Sequence, residues 1–235
     1  MNAITNPAAG ARSPFNAVRL AGCMAGWMAA CLVLLAPAAR AADLTVRVLD
    51  KNGQPLPDAV VLVTSAGVGA HPAPLMEATI KQEKLRFKPA LTVVHPGARV
   101  TFTNQDAWDH HVIFGLMGPG GFYLDTAQNQ QLRLAGKVGE TVAQDTRVLA
   151  KPGGYLLGCH LHSSMRGFLY VADTPWAQAT DADGRVTLTG VPVGPANVRV
   201  WHADQLMDAA PLLAQVPAAG TAVVLNTAVL PQKRR

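Results

Sequence analysis

Apolar and polar positions alternate with a period of two along much of the chain, in short stretches separated by turn residues. In "LTVRVLD" (Leu44 to Asp50), Leu44, Val46 and Val48 share one face and Thr45 and Arg47 the other, the pattern of a half-buried strand. "NGQPLPD" then turns the chain and "AVVLVTS" returns as a second strand. "LTVVHPGARVTFTN" (Leu91 to Asn104) reads as strand, Pro-Gly turn, strand. "HVIFGL", "QLRLAG" and "TRVLA" are further strands, "KPGGYLLGCH" is a turn leading into a strand, and "RGFLYVAD" is an alternating strand. Near the end, "DADGRVTLTGVPVGPANVRVWHAD" predicts an Asp-Gly hairpin followed by two more strands. No long stretch carries helical periodicity, so the expectation is an all-β chain of sandwich or barrel architecture.

The first 41 residues stand apart from this pattern. Arg12 and Arg19 precede the apolar run "LAGCMAGWMAACLVLLAPA", and "ARA" at Ala39 to Ala41 follows it, with no acidic residue in the segment. Basic, apolar and small residues in that order predict a secretory signal peptide cleaved after Ala41 and no membrane span afterwards. An uncleaved anchor is the alternative for an apolar run of this length. Export implies a periplasmic protein. Cleavage would remove three of the 20 basic residues and none of the 15 acidic ones, leaving a net charge of about +2. With no basic run interleaved with aromatics, nucleic acid is excluded as a partner. Cys23 and Cys31 would leave too, making Cys159 a lone cysteine in an oxidising compartment, and metal ligation is one reason to keep it.

The candidate chemistry lies in "GCHLHSSMRG" (Gly158 to Gly167), where Cys159, His160, His162 and Met165 crowd a short loop before the strand "RGFLYV". Cys-x2-His-x2-Met spacing can bring a thiolate, an imidazole and a thioether to one point. A further imidazole is expected from "TFTNQDAWDHHVIF", which offers His110 and His111. Adjacent residues of a strand point to opposite faces, so only one of these two can face a metal. His160 is expected to point away, Met117 is a further soft candidate, and His95 and His202 are expected in turns or at the surface. Two histidines, one cysteine and a weak thioether suit copper shuttling between Cu(I) and Cu(II). Structural zinc takes four strong ligands, among which Met is a poor choice. A catalytic cysteine nucleophile is the remaining alternative, but no oxyanion site or substrate pocket can be read beside Cys159.

Two resemblances extend this picture. "VVHPGARVTFTNQDAWDHHVIF" together with the Cys-x2-His-x2-Met loop resembles the cupredoxins, the small blue copper proteins, in their amicyanin-like short-loop form, over roughly Ala78 to Val171. The resemblance implies a Greek-key β-sandwich holding one copper ion, with His110, Cys159, His162 and Met165 as ligands. "LTVRVLDKNGQPLPDAVVLVTS" and "ATDADGRVTLTGVPVGPANVRVWHAD" together resemble the carboxypeptidase regulatory-like (transthyretin-like) sandwich. The implied organisation is a discontinuous regulatory-like sandwich from residues 42–66 and 176–231, with residues 67–175 inserted as the cupredoxin domain. The whole is similar to exported plastocyanin-like proteins labelled methylamine utilization proteins.

These expectations describe a non-enzymatic one-electron carrier with transient periplasmic redox partners, such as a c-type cytochrome or a dehydrogenase. An apolar patch for that contact is expected from "GLMGPGGF" (Gly115 to Phe122). A copper-binding and delivery protein is the alternative, with His111, His160 and Met117 as transfer ligands. A sandwich that docks or adheres, with copper as an accessory, is a third.

Overall fold

The computed structural model describes residues 40–67, 71–118 and 129–232, and among these the chain forms sixteen β-strands and no helix. All but the last two residues of the expected signal segment lie outside the described residues. The strands make four sheets. In the first, β1 (Ala41–Leu49) lies between β13 (Arg185–Pro192) and β16 (Thr221–Asn226). In the second, β2 (Val60–Ser65) lies between β12 (Trp176–Ala179) and β14 (Gly194–Trp201), with β15 (Leu212–Val216) beyond β14. The third runs β5 (Leu91–Val94), β11 (Arg166–Val171), β10 (Gly153–Cys159), β7 (His110–Leu116), β8 (Gln130–Leu134). The fourth runs β4 (Arg86–Lys88), β3 (Glu77–Glu83), β6 (Ala98–Asn104), β9 (Gln144–Leu149).

The sheets stack in that order because each inner one is apolar on both faces. Leu44, Val46 and Val48 of β1 pack against Val61 and Val63 of β2 and Val198 of β14. At the other end, Ile80, Val100 and Phe102 meet Phe114, Leu157 and Leu169, and the Phe102 and Phe114 rings stack with centroids 5.1 Å apart. A third core lies between the two middle sheets, where Val60 and Leu62 of β2 meet Tyr170 and Ala172, flanked by Leu91, Val93 and Trp201. This explains the continuous apolar run in β2, whose alternate residues fill different cores. It also corrects the expectation for "RGFLYV". β11 is buried on both sides, with Leu169 and Val171 facing one core and Tyr170 the other.

The turns join sheets more often than they form hairpins. The Pro-Gly turn links β5 to β6, which lie in different sheets, so it is a corner. The Asp-Gly turn likewise carries the chain from β12 to β13 in another sheet, and the expected hairpin there is not formed. Asp181 Oδ1 shapes that turn by accepting the N–H groups of Asp183 (2.9 Å) and Arg185 (2.8 Å). Period-two alternation fixes which face a residue takes but not which strand lies alongside, so corner and hairpin look the same in sequence.

Trp201 closes the middle core by lying on the backbone of β10. A Cβ at Gly154 would stand 2.5 Å from the indole Cζ2, and the ring centroid is 5.0 Å from that of Tyr170. Gly154→Ala forces a rigid ring to move in a packed core. We expect it to lower stability by about 1–3 kcal/mol in denaturant unfolding, whereas an unchanged midpoint would show that the ring is free to shift.

Candidate metal centre

His110 opens β7 and Cys159 closes β10, on neighbouring antiparallel strands with Cys159 directly opposite Val112. Alternation along β7 sends His110, Val112 and Phe114 into the core and His111 and Ile113 to the other face. Beyond Cys159 the short connection to β11 turns back on itself, the Met165 N–H donating to the His162 carbonyl at 2.9 Å. That turn brings the His162 ring under the end of β7 while Met165 enters the core, where it is 1% exposed.

Three donor atoms converge. Cys159 Sγ is 3.6 Å from His110 Nδ1 and 3.6 Å from His162 Nδ1, and the two nitrogens are 3.2 Å apart. Donors about 2.0–2.3 Å from a common metal, with about 105–120° between them, stand about 3.2–3.8 Å from one another, so the spacing suits a single ion. Among the described residues this is the cluster of His, Cys and carboxylate side chains able to hold a metal. His110 and Cys159 are buried and His162 is half-buried, which leaves one imidazole edge toward solvent. Met165 lies in the same core cluster as Cys159. A thiolate, two imidazoles and an adjacent thioether form the soft-to-borderline set that accommodates both copper oxidation states.

The loop before β7 is tied down by residues that sequence inspection passed over. His110 Nε2 lies 3.0 Å from Asp106 Oδ2, and Asp106 also accepts the N–H groups of Lys84 (2.6 Å) and Leu85 (3.1 Å). Lys84 and Leu85 form the β3–β4 turn in left-handed conformation, with φ of 54° and 58°. Burial works to raise the Asp106 pKa, but the N–H groups of Leu85 and Lys84 and the imidazole of His110 outweigh it, and the carboxyl titrates below its usual value. Asn104, fully buried, donates from Nδ2 to the carbonyls of Trp108 (2.8 Å), Ala135 (2.9 Å) and Leu134 (3.2 Å). Its Oδ1 accepts the Asp106 N–H at 2.9 Å. Gly136 seals the loop from the other side, where a Cβ would stand 2.3 Å from the Ala107 carbonyl oxygen.

The remaining candidates lie elsewhere. The His111 ring sits 4.9 Å from that of His160, on the opposite side of β7 from His110. Met117 follows the far end of β7, roughly 20 Å from His110 at the usual strand rise, and cannot join the cluster. Gly115 and Leu116 share that far end, and residues 119–122 of the expected apolar patch lie outside the described residues. Exposed apolar side chains close in sequence to the donors are Trp108 and Leu161. His95 occupies a turn, its Nδ1 accepting the Leu75 N–H at 3.0 Å. His202 also lies in a turn but is buried, with Nδ1 accepting the Asp204 N–H at 3.1 Å.

No family model matches the chain, and no curated protein matches it in sequence. Solved structures similar to it are cupredoxins. A dithionite-reduced auracyanin from the photosynthetic bacterium Roseiflexus castenholzii is 20% identical, with 43% of this chain and 99% of that chain covered and a TM-score of 0.33. Auracyanin A, a "blue" copper protein from Chloroflexus aurantiacus, is 23% identical, with 40% and 97% covered and a TM-score of 0.31. A purple cupredoxin from Nitrosopumilus maritimus is 19% identical, with 40% and 99% covered and a TM-score of 0.31.

Proposed function

We propose that this chain is an exported copper protein of the blue, type 1 kind that carries single electrons and catalyses no reaction of its own. The observation that carries this reading is the convergence of His110 Nδ1, Cys159 Sγ and His162 Nδ1 beside buried Met165. Copper held there would supply a one-electron Cu(I)/Cu(II) couple. His110 and Cys159 hold their donors on adjacent strands of one sheet, which limits their movement when charge changes. Cys159 supplies the strong thiolate, Met165 a weak fourth donor, and half-buried His162 the edge nearest solvent. A c-type cytochrome or a dehydrogenase of the periplasm would meet that edge in a small, transient contact.

The strands of residues 41–65 and 176–226 pair only with one another, and those of residues 77–171 likewise. That partition supports the proposal that a regulatory-like sandwich carries the copper sandwich as an insertion. Copper delivery is the second reading, favoured by the His111–His160 ring pair one residue away from two of the donors.

Cu(II) added to the purified apoprotein separates these readings. An intense visible thiolate-to-copper band with narrow copper hyperfine splitting is expected for the carrier, and immediate reduction with loss of colour for delivery. His110→Ala should lose the band and His111→Ala should keep it, because only His110 faces Cys159. Loss of the band in His111→Ala alone would put the centre on the wrong face of β7.

A further inference from the structure

We propose that Asp106 is a positioning residue that fixes the tautomer of His110, holding the proton on Nε2 and leaving Nδ1 as a bare lone pair aimed at Cys159 and His162. The role of this device rests on the metal-centre reading, but its observable does not. An ionised carboxylate only accepts hydrogen bonds. Oδ1 accepts Lys84 N–H, and Oδ2 accepts Leu85 N–H while standing 3.0 Å from His110 Nε2. Both oxygens are engaged by backbone donors, so the proton between Asp106 and His110 belongs to Nε2. A neutral imidazole protonated there carries its lone pair on Nδ1. That is the atom 3.6 Å from Cys159 Sγ and 3.2 Å from His162 Nδ1.

The carboxylate is itself held in place. The Asp106 N–H is bound by Asn104 Oδ1 at 2.9 Å and its carbonyl accepts the Lys137 N–H at 2.7 Å. The residue thus connects the β3–β4 turn, the loop before β7 and the segment after β8 to one ring nitrogen. Such a carboxylate–imidazole pair orients a metal-binding histidine and strengthens it as a donor.

An amide at this position cannot do the same. In Asp106→Asn one face of the side chain becomes an NH2, and three donors compete for the single remaining oxygen. When that oxygen serves the turn, the NH2 faces Nε2 and moves the ring proton to Nδ1, onto the donor face. The test is 15N NMR of the His110 ring in the apoprotein, at a pH where the imidazole is neutral, beside Cu(II) competition titrations. Wild type is expected to show the Nε2–H form, Asp106→Asn a shift toward Nδ1–H, and Asp106→Ala a mixture. Cu(II) affinity is expected to fall about 10–100-fold in Asp106→Asn. Identical ring tautomers in wild type and both variants overturn the proposal, as does an unchanged affinity in Asp106→Asn. If the amide unsettles the turn, the wild-type spectrum decides, since an Nδ1–H ring in the wild-type apoprotein overturns the proposal. Failure of the wild-type protein to bind copper overturns the metal-centre reading instead, and the apoprotein tautomer still decides the role of Asp106.

Discussion

Cys159→Ser is expected to abolish the visible band of the Cu(II)-loaded protein while leaving the fold intact. Serine keeps the shape of the side chain within about one atom's size, and Cys159 is 6% exposed at the end of a paired strand. The hydroxyl has ring nitrogens of His110 and His162 within reach as partners, so its burial is compensated. It cannot supply the sulfur that gives the charge-transfer transition, and at neutral pH it stays protonated where a thiol readily gives up its proton to a metal. Cu(I) binding should weaken most, because removal of the thiolate leaves one thioether as the soft donor. Absorption, copper hyperfine splitting and denaturant unfolding on the same preparation check this. A coloured Cys159→Ser protein would mean that the band does not arise at this cluster.

Asn104→Ala is expected to have the largest effect on stability, about 2–4 kcal/mol. The carboxamide serves the carbonyls of Trp108, Leu134 and Ala135 and the N–H of Asp106, all from a fully buried position. Each buried group left without a partner costs about 1–3 kcal/mol, and a water entering the gap recovers part of that. Asn104→Asp should be no milder, because a carboxylate would face the carbonyls in place of an N–H donor. Copper affinity should fall along with stability, since the Asp106 backbone loses the bond that holds it. Equilibrium unfolding in denaturant measures the first effect, and a change under about 0.5 kcal/mol would show that the loop is held by other means.

The donors were legible in sequence because their signals are local. Cys-x2-His-x2-Met occupies one connection, and alternation in "HHVIF" allows one histidine to face inward, so the choice lay between two faces of a single strand. The support around them was not. Asn104 reads as the polar end of a strand and Asp106 as an ordinary polar loop residue, and their partners at Lys84, Leu85 and Leu134 lie 20 or more positions away. The β3–β4 hairpin carries none of the usual turn residues, since Lys84 and Leu85 take the left-handed conformation that Gly or Asn ordinarily marks. β16 was invisible for another reason. It joins β1 in parallel, Leu44 opposite Thr221 through Leu49 opposite Asn226, a pairing fixed by packing across the whole chain. The corner between β5 and β6 shows the same limit, because a Pro-Gly turn announces a change of direction without naming the next partner.

The middle core makes the two ends of the chain part of the site's thermodynamics. Val60 and Leu62 have no solvent-facing alternative, and Tyr170 and Ala172 on the donor-bearing sheet are their dry partners. Separating the two middle sheets would wet both surfaces at once, at about 25 cal/mol per Å² of apolar area exposed. An ion bound to the native triad and not to the unfolded chain adds RT ln(1 + [L]/Kd) to the stability of whatever unfolds with it. Through this shared core that term reaches β2 and β14, strands that contribute no donor, so loading the metal centre would also tighten the sheet packed against the donor-bearing one.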